Sequence, residues 1–500
     1  MAPSSIRTSA DRVFDFTCMW ILPFGFFLLL AGPFFLPERS LHHKLFYLLF
    51  SAPTLLVMCL HPREIGKVLR EPIVRCFLLF AAYACLTLLW SPTDSDAGGL
   101  IKRPLHTLML FVGTAVFVRH RSEALMPLLL VAATLVLGAT VREIHTFWQY
   151  CVDHPELQQL RLSGSGAMDN SLLTSHLLGF FATFWMFRCL NSHSLKPFVA
   201  QFAAFALMLA AIIMTRSRMP LAALAAAFGW MMLLRFGRRA LPILLAPALL
   251  FVGLFFLAPQ LVIGRGDSYR FEIWEMTWRL IVEHPLFGHG YDAPLAIDPG
   301  SGIVLSEPHS FTLGVIYNLG FLGLLPWLAM LGFGLYSGIK HRHQPLFVMA
   351  STLLVFGIGA GLTEGGGIMS RPKEHWFLLW IPLALLIALN IAQRTGQLLS
   401  TQTRRLSAEQ AADMAANARV VEEDGLGPKV LELADGSFLK LFRKRRWYTS
   451  GSINPYAERF ARNSQQLAAL GFVTPEVLNL YRYPDGSQGV QYRPLPGRTL

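Results

Sequence analysis

Charge is what this sequence has little of. Asp, Glu, Lys and Arg make up 15% of its 500 residues, against 53% hydrophobic, whereas a soluble domain carries about 25% charged residues. The deficit excludes an ordinary soluble globular protein. With the long apolar runs and a mean hydropathy of +0.45, it implies a polytopic membrane protein. Cysteine is sparse and unpaired in spacing. Cys18, Cys59, Cys76, Cys85 and Cys189 fall in or near apolar runs, and Cys151 alone falls in a polar stretch. No CxxC is formed, so neither a zinc site nor a disulfide framework is indicated. No clear small-residue cleavage site follows the first apolar run, which is read as a retained helix.

The net charge is +12 and the pI about 9.6. In a soluble chain that excess would raise nucleic acid as a partner. Here the basic residues are assigned to cytoplasmic loops, and no nucleic acid is expected. Spans of roughly 20 apolar residues centre on 16–36, 43–60, 75–90, 104–118, 124–141, 172–190, 197–214, 219–235, 240–258, 310–337, 346–362 and 375–393. The expectation is an all-α bundle of about twelve transmembrane helices. With a cytoplasmic N-terminus, the inside loops HPREIGKVLREP, RHR, RCLNSHSLK, RFGRR and KHRHQ are all basic, as the positive-inside bias requires. The joint TRSR, the stretch Arg142–Asn170 and the long loop 259–308 then face outward.

Arginine on the outer face opposes that bias. Arg216 and Arg218 sit in a short joint between two spans, where desolvation is costly. The guanidinium fork suits two-pronged capture of phosphate, so a phosphate-bearing ligand at the outer surface is the simplest partner. In the long loop, a helix is expected from about Tyr269 to Glu283, with Arg270, Trp274 and Trp278 on one face. A glycine turn follows at LFGHGY. His309 stands at the outer start of the tenth span, followed by Ser310 and, further on, Asn318. A neutral imidazole there can accept a proton from a hydroxyl. Asp94 and Asp96 form a DxD-type pair without a third ligand nearby, so no metal site is assigned.

TRSR, then R-x-E-I-W, then EHPLFGHGY, then PHSF…NLGFLGLL resemble the successive motifs of the O-antigen ligase / O-antigen polymerase superfamily. The resemblance covers roughly residues 205–335, and the span layout agrees to about residue 393. It implies a GT-C-like, metal-independent inverting glycosyltransferase without a cofactor. The donor would be a glycan on undecaprenyl diphosphate. The acceptor would be lipid A core for a ligase, or another repeat unit for an O-antigen or exopolysaccharide polymerase. The implied location is the bacterial inner membrane among its lipids, with both termini cytoplasmic and the active site periplasmic. By motif, Arg216, Arg270 and His309 match catalytic positions. Arg218, Arg265, Trp274 and Asn318 are candidates for holding diphosphate or sugar, and Arg265 could replace or assist Arg270. Ser310 departs from the family's usual His-Asn.

Residues 1–393 are thus read as the ligase-like domain and 394–424 as a polar cytoplasmic linker with a short helix. Residues 425–500 read as soluble α+β. KVLELA-DG-SFLKLF predicts a hairpin, and helical periodicity runs from Pro455 to Leu470. This stretch resembles the small lobe of kinase-like folds such as lipopolysaccharide core kinases, with Lys440 and Glu458 in the places of the strand lysine and helix glutamate. No Gly-rich loop precedes Lys440 and no HRD-like or DFG-like segment follows, so the segment as given is incomplete and not a working kinase. A core-kinase likeness favours ligase over polymerase. Readings of another class are a lipid-linked glycan transporter, which predicts internal repeats that are not seen, and a membrane sensor with a pseudokinase tail.

Overall fold

A computed structural model describes residues 9–155, 160–192, 194–237, 270–298, 304–365, 367, 369–373, 375–395, 403–425, 427–443, 456–469 and 472–495. Two compact units emerge: Met1–Phe117 with Leu128–Ala388, and Val118–Pro127 with Leu389–Leu500.

The first unit is helical. Among the described residues, eight helices are long and apolar enough to cross a membrane by length and composition. Three more of the expected segments are also helices: Pro72–Thr87, Ser171–Leu190 and Pro345–Gly361. The expected span at 240–258 lies outside the described residues, as does Arg265. Ser171–Leu190 is buried without a break from Leu173 to Phe187, the signature of a helix enclosed on all sides. The stretch Trp376–Arg394 is likewise central, at 89% buried, whereas Leu195–Met214, at 22%, lies at the periphery. One expectation is corrected. The helix from Ser122 runs to Asp153, so Arg142–Asp153, Cys151 included, is helical rather than loop. At 1.5 Å per residue, a helix of that length reaches about 48 Å, well beyond a hydrocarbon core of roughly 30 Å.

Proline shapes three of these helices. Each widens into one π-turn, at Thr17–Ile21, Tyr47–Ser51 and Trp376–Trp380, just ahead of Pro23, Pro53 and Pro382. Proline donates no N–H and crowds the carbonyl four residues earlier; a wider turn relieves that contact. Two of the crowded carbonyls face a glycine on another helix. A Cβ on Gly25 would lie 2.3 Å from the Leu49 oxygen, and one on Gly357 would lie 1.5 Å from the Leu378 oxygen.

The helix Phe311–Lys340 is broken at Gly320, with φ 61° and ψ −170°. In a membrane protein the freed backbone groups need new partners, and the segment Pro285–Gly290 supplies them. His289 N donates to Tyr317 O at 2.9 Å and Gly290 N to Asn318 O at 2.8 Å. In return Phe321 N donates to Pro285 O at 2.8 Å and Leu322 N to Leu286 O at 3.2 Å. Gly288 (φ 70°) permits the approach, since a Cβ there would lie 2.5 Å from the Asn318 backbone.

The second unit carries a six-stranded sheet: β1 Thr403–Arg405, β2 Arg419–Asp424, β3 Gly427–Glu432, β4 Phe438–Phe442, β5 Glu476–Arg482 and β6 Gln488–Arg493. The order is β1-β5-β6-β4-β3-β2; β1 and β5 run parallel and the other pairs antiparallel. The expected hairpin is β3–β4, with Glu432 opposite Phe438 and Gly436 at φ 75°. Helix Tyr456–Ala469 buries Ala457 and Ala461 against Leu480 and Val490. Much of the stretch expected as linker is built into this unit. It contributes β1, β2 and helix Ala408–Ala416, which starts in a Ser407/Gln410 capping box.

Gly357→Ala is expected to abolish folding, because the new methyl meets backbone and overpacking of this kind costs about 3 kcal/mol or more. Gly332→Ala, with nothing within 4 Å, serves as the control. Monodisperse yield on size exclusion in detergent should collapse for the first and hold for the second.

Candidate active site at one end of the helix bundle

Three helices bring several of the expected site residues to one end of the first unit. Met219–Phe236 and Pro345–Gly361 pack antiparallel. A Cβ on Gly359 would lie 3.2 Å from Ala223, and Trp230 Nε1 donates to Ser351 Oγ at 3.1 Å. Phe311–Lys340 lies antiparallel to the same helix, with the Phe311 ring seated on Gly361 and Gly365 and Gly338 against Ser351. The joint before Met219, the residues before Phe311 and the residues after Gly361 therefore share one end.

At that end Glu364 joins two of the expected residues. Its side chain is 3% exposed. One oxygen accepts a short, charge-assisted hydrogen bond from the Arg270 guanidinium. The other lies 3.8 Å from His309 Nδ1. Arg270 and His309 keep 27% and 30% of their side chains exposed, so each retains an open face. Arg270 opens helix Arg270–Glu283. Ser310 is the N-cap of helix Phe311–Lys340, its hydroxyl accepting from Leu313 N at 3.5 Å; this is the work of the residue that departs from the family pattern.

The arginine joint is fastened from another segment. Leu162 N donates to Met214 O at 3.0 Å. Arg161 donates from Nε to Thr215 O at 2.9 Å and from its terminal nitrogen to Ser217 Oγ at 3.1 Å. Thr215 and Ser217 are buried at 0% and 6% exposure, and the alternation turns Arg216 and Arg218 outward. Backbone strain marks the same places. Arg216 (φ 54°) and His309 (φ 46°) are two of three described non-glycine residues with positive φ, a conformation costing about 1–3 kcal/mol each and concentrated at functional sites.

Other candidates fall differently. Trp274 packs against the cluster of Ile273, Ile281, Leu295 and Ile316 rather than standing clear. Its Nε1, like Arg270 Nε, is buried without a partner among the described residues; Trp278 is the exposed one, at 47%. Asn318 is 8% exposed and donates to Gly314 O at 2.8 Å. Asp96 receives Gly99 N at 2.6 Å at the head of its helix. In the second unit, Lys440 and Glu458 do not pair. The Lys440 ammonium lies 6.0 Å from the Phe460 ring centre, and burial raises the Glu458 carboxyl, opposed by Arg462 and Arg482.

Sequence reasoning missed Glu364 and Arg161. Glu364 stands in TEGGG, directly after an apolar helix, and an acid in so apolar a setting is itself a signal. Arg161 carries none.

The helices and this cluster define an integral membrane protein with an imidazole, a guanidinium and a buried carboxylate gathered at one end, near a joint with two exposed arginines. Residues 203–328 match the family described as O-antigen ligase. A curated O-antigen ligase of Pseudomonas aeruginosa is 41% identical over 398 residues, spanning 78% of this chain and 95% of that protein. The chain belongs to the O-antigen ligase family.

Arg270→Ala and Glu364→Ala are expected to be non-additive in stability, since the first strands the buried Glu364 carboxylate and the second leaves a half-buried guanidinium unpaired. In detergent melts, the double variant should recover about 1–3 kcal/mol relative to the sum of the singles.

Proposed function

We propose that this chain transfers an O-antigen-type glycan from undecaprenyl diphosphate to lipid A core, at the periplasmic face of the inner membrane. The observation that carries the reading is Glu364 held between Arg270 and His309 at the end of the bundle that also bears Arg216 and Arg218. His309 Nε2 takes the proton of an acceptor hydroxyl. That oxygen attacks the anomeric carbon of the donor sugar from the face opposite the diphosphate, the carbon–oxygen bond to the diphosphate breaks, and configuration inverts. Negative charge grows on the leaving diphosphate, and Arg216, Arg218 and Arg270 are the cations set to meet it. Glu364 steadies Arg270 and lies beside the imidazolium formed at His309. In this reading both termini and the C-terminal unit are cytoplasmic and the full layout has about twelve spans. The likeness of residues 425–500 to a kinase small lobe draws support from the helix that follows the Lys440 strand, and the lack of a Lys440–Glu458 pair argues for a non-catalytic role there.

His309→Ala in cells is expected to lower transfer by about 10²–10⁴-fold and Arg216→Ala by about 10²–10³-fold, at normal protein level. Lipopolysaccharide gels should then show bare core with lipid-linked polymer accumulating. Core capped by a single repeat would point to a polymerase instead, and intact long-chain lipopolysaccharide would remove both residues from the mechanism. His309→Gly relaxes the left-handed backbone, so it should melt no earlier than the parent while being equally inactive.

A further inference from the structure

The loop Ser91–Asp96 is tied to the segment Tyr291–Leu295. Ser95 Oγ and Thr93 Oγ1 donate to Asp292 Oδ2 at 2.7 and 3.1 Å, and Arg103 donates to Asp292 Oδ1 at 3.1 Å. Ser91 Oγ donates to Tyr291 O at 2.8 Å. Between these two segments and Ser306–Pro308 lies a cavity of about 500 Å³, within the usual range for a small-molecule site. It adjoins the cluster described above. Pro308 lines it and is followed by His309, while Gly367 and Met369 line it from the loop that begins at Glu364.

The lining chemistry is the reverse of the arginine joint. The described lining residues bring three carboxylates, Asp94, Asp292 and Glu307, together with the Asn318 amide, and no lysine or arginine. Asp292 is occupied by its three partners. Asp94 and Glu307 take part in no ion pair among the described residues. Carboxylates accept hydrogen bonds from hydroxyls, and the exposed Pro294 offers apolar surface to the C–H face of a ring. A phosphate here would meet like charge in a partly enclosed space, where repulsion is weakly screened.

We propose that this cavity is the subsite for the terminal sugar of the acceptor, that it takes an uncharged polyhydroxylated ring, and that it turns phosphorylated rings away. The assignment rests on the transfer reading above and divides the two substrates by charge: diphosphate to the arginines, acceptor sugar to the carboxylate side, with His309 directly following the lining residue Pro308.

The test uses the full chain in lipid nanodiscs, a polyprenyl-diphosphate-linked glycan as donor, and two rough lipopolysaccharides that differ only by a phosphate on the terminal core sugar. The wild type should prefer the unphosphorylated acceptor by about tenfold or more in kcat/KM. Asp94→Asn with Glu307→Gln should raise KM for that acceptor by about tenfold. The same double variant should narrow the preference to less than about threefold and leave donor KM within about twofold. Asp94→Lys should favour the phosphorylated acceptor. A rise in donor KM instead, or a preference untouched in all variants, would overturn the subsite while leaving transfer intact. No product from the wild type with this donor would remove the transfer reading itself, and the subsite with it.

Discussion

A carboxylate taken almost wholly out of water needs a cation. Without one, its desolvation costs several kcal/mol. Glu364 meets that requirement with Arg270, and the pairing fixes more than charge. Arg270 belongs to a loop helix and Glu364 follows an apolar helix, 94 positions apart, so the ion pair pins the start of the loop helix to the bundle. His309 lies against the second oxygen. One buried anion thereby sets where a guanidinium and an imidazole stand relative to each other. The Phe311 ring over Gly361 and Gly365 holds the three segments close enough for this to work.

The rest of the first unit answers the same demand in backbone terms. Where proline removes an N–H, the helix widens by one residue, and at two of the three places a neighbouring glycine leaves room for the displaced carbonyl. Where Gly320 breaks a helix, a loop donates and accepts in its place. Apolar surroundings leave no water for such groups, so each irregularity has a specific remedy nearby. Arg216 and His309 retain their strained backbone. It persists because Arg161 grips the residues on either side of Arg216 and because Ser310 caps the helix that begins directly after His309.

Much of this was legible in the chain. Apolar runs marked eleven of the helices that the structure describes, since length and hydropathy govern spanning segments. Asp435-Gly436 marked the hairpin, because the turn needs a positive φ. Helix Arg270–Glu283 was placed to within a residue, because Pro285 stops it. What stayed hidden depends on contacts distant in sequence. Glu364 reads as one of two acids in a glycine-rich loop until the helices before and after it are packed. Arg161 sits in a stretch with no periodic pattern. Spacing puts Trp274 and Trp278 on one face without saying which is exposed; the packing of Ile273 and Ile281 decides which of the two rings is covered. Strands β1, β2 and β5 escaped notice because they are short, polar or flanked by charge, and sheet pairing rather than propensity holds them.

The splint across Gly320 has a consequence for turnover. Four main-chain hydrogen bonds sew Pro285–Gly290 into a membrane helix, and withdrawing that segment would leave amides and carbonyls bare in an apolar medium. It is a wall, not a door. A lipid-borne substrate reaching this end of the bundle therefore has to pass along some other flank.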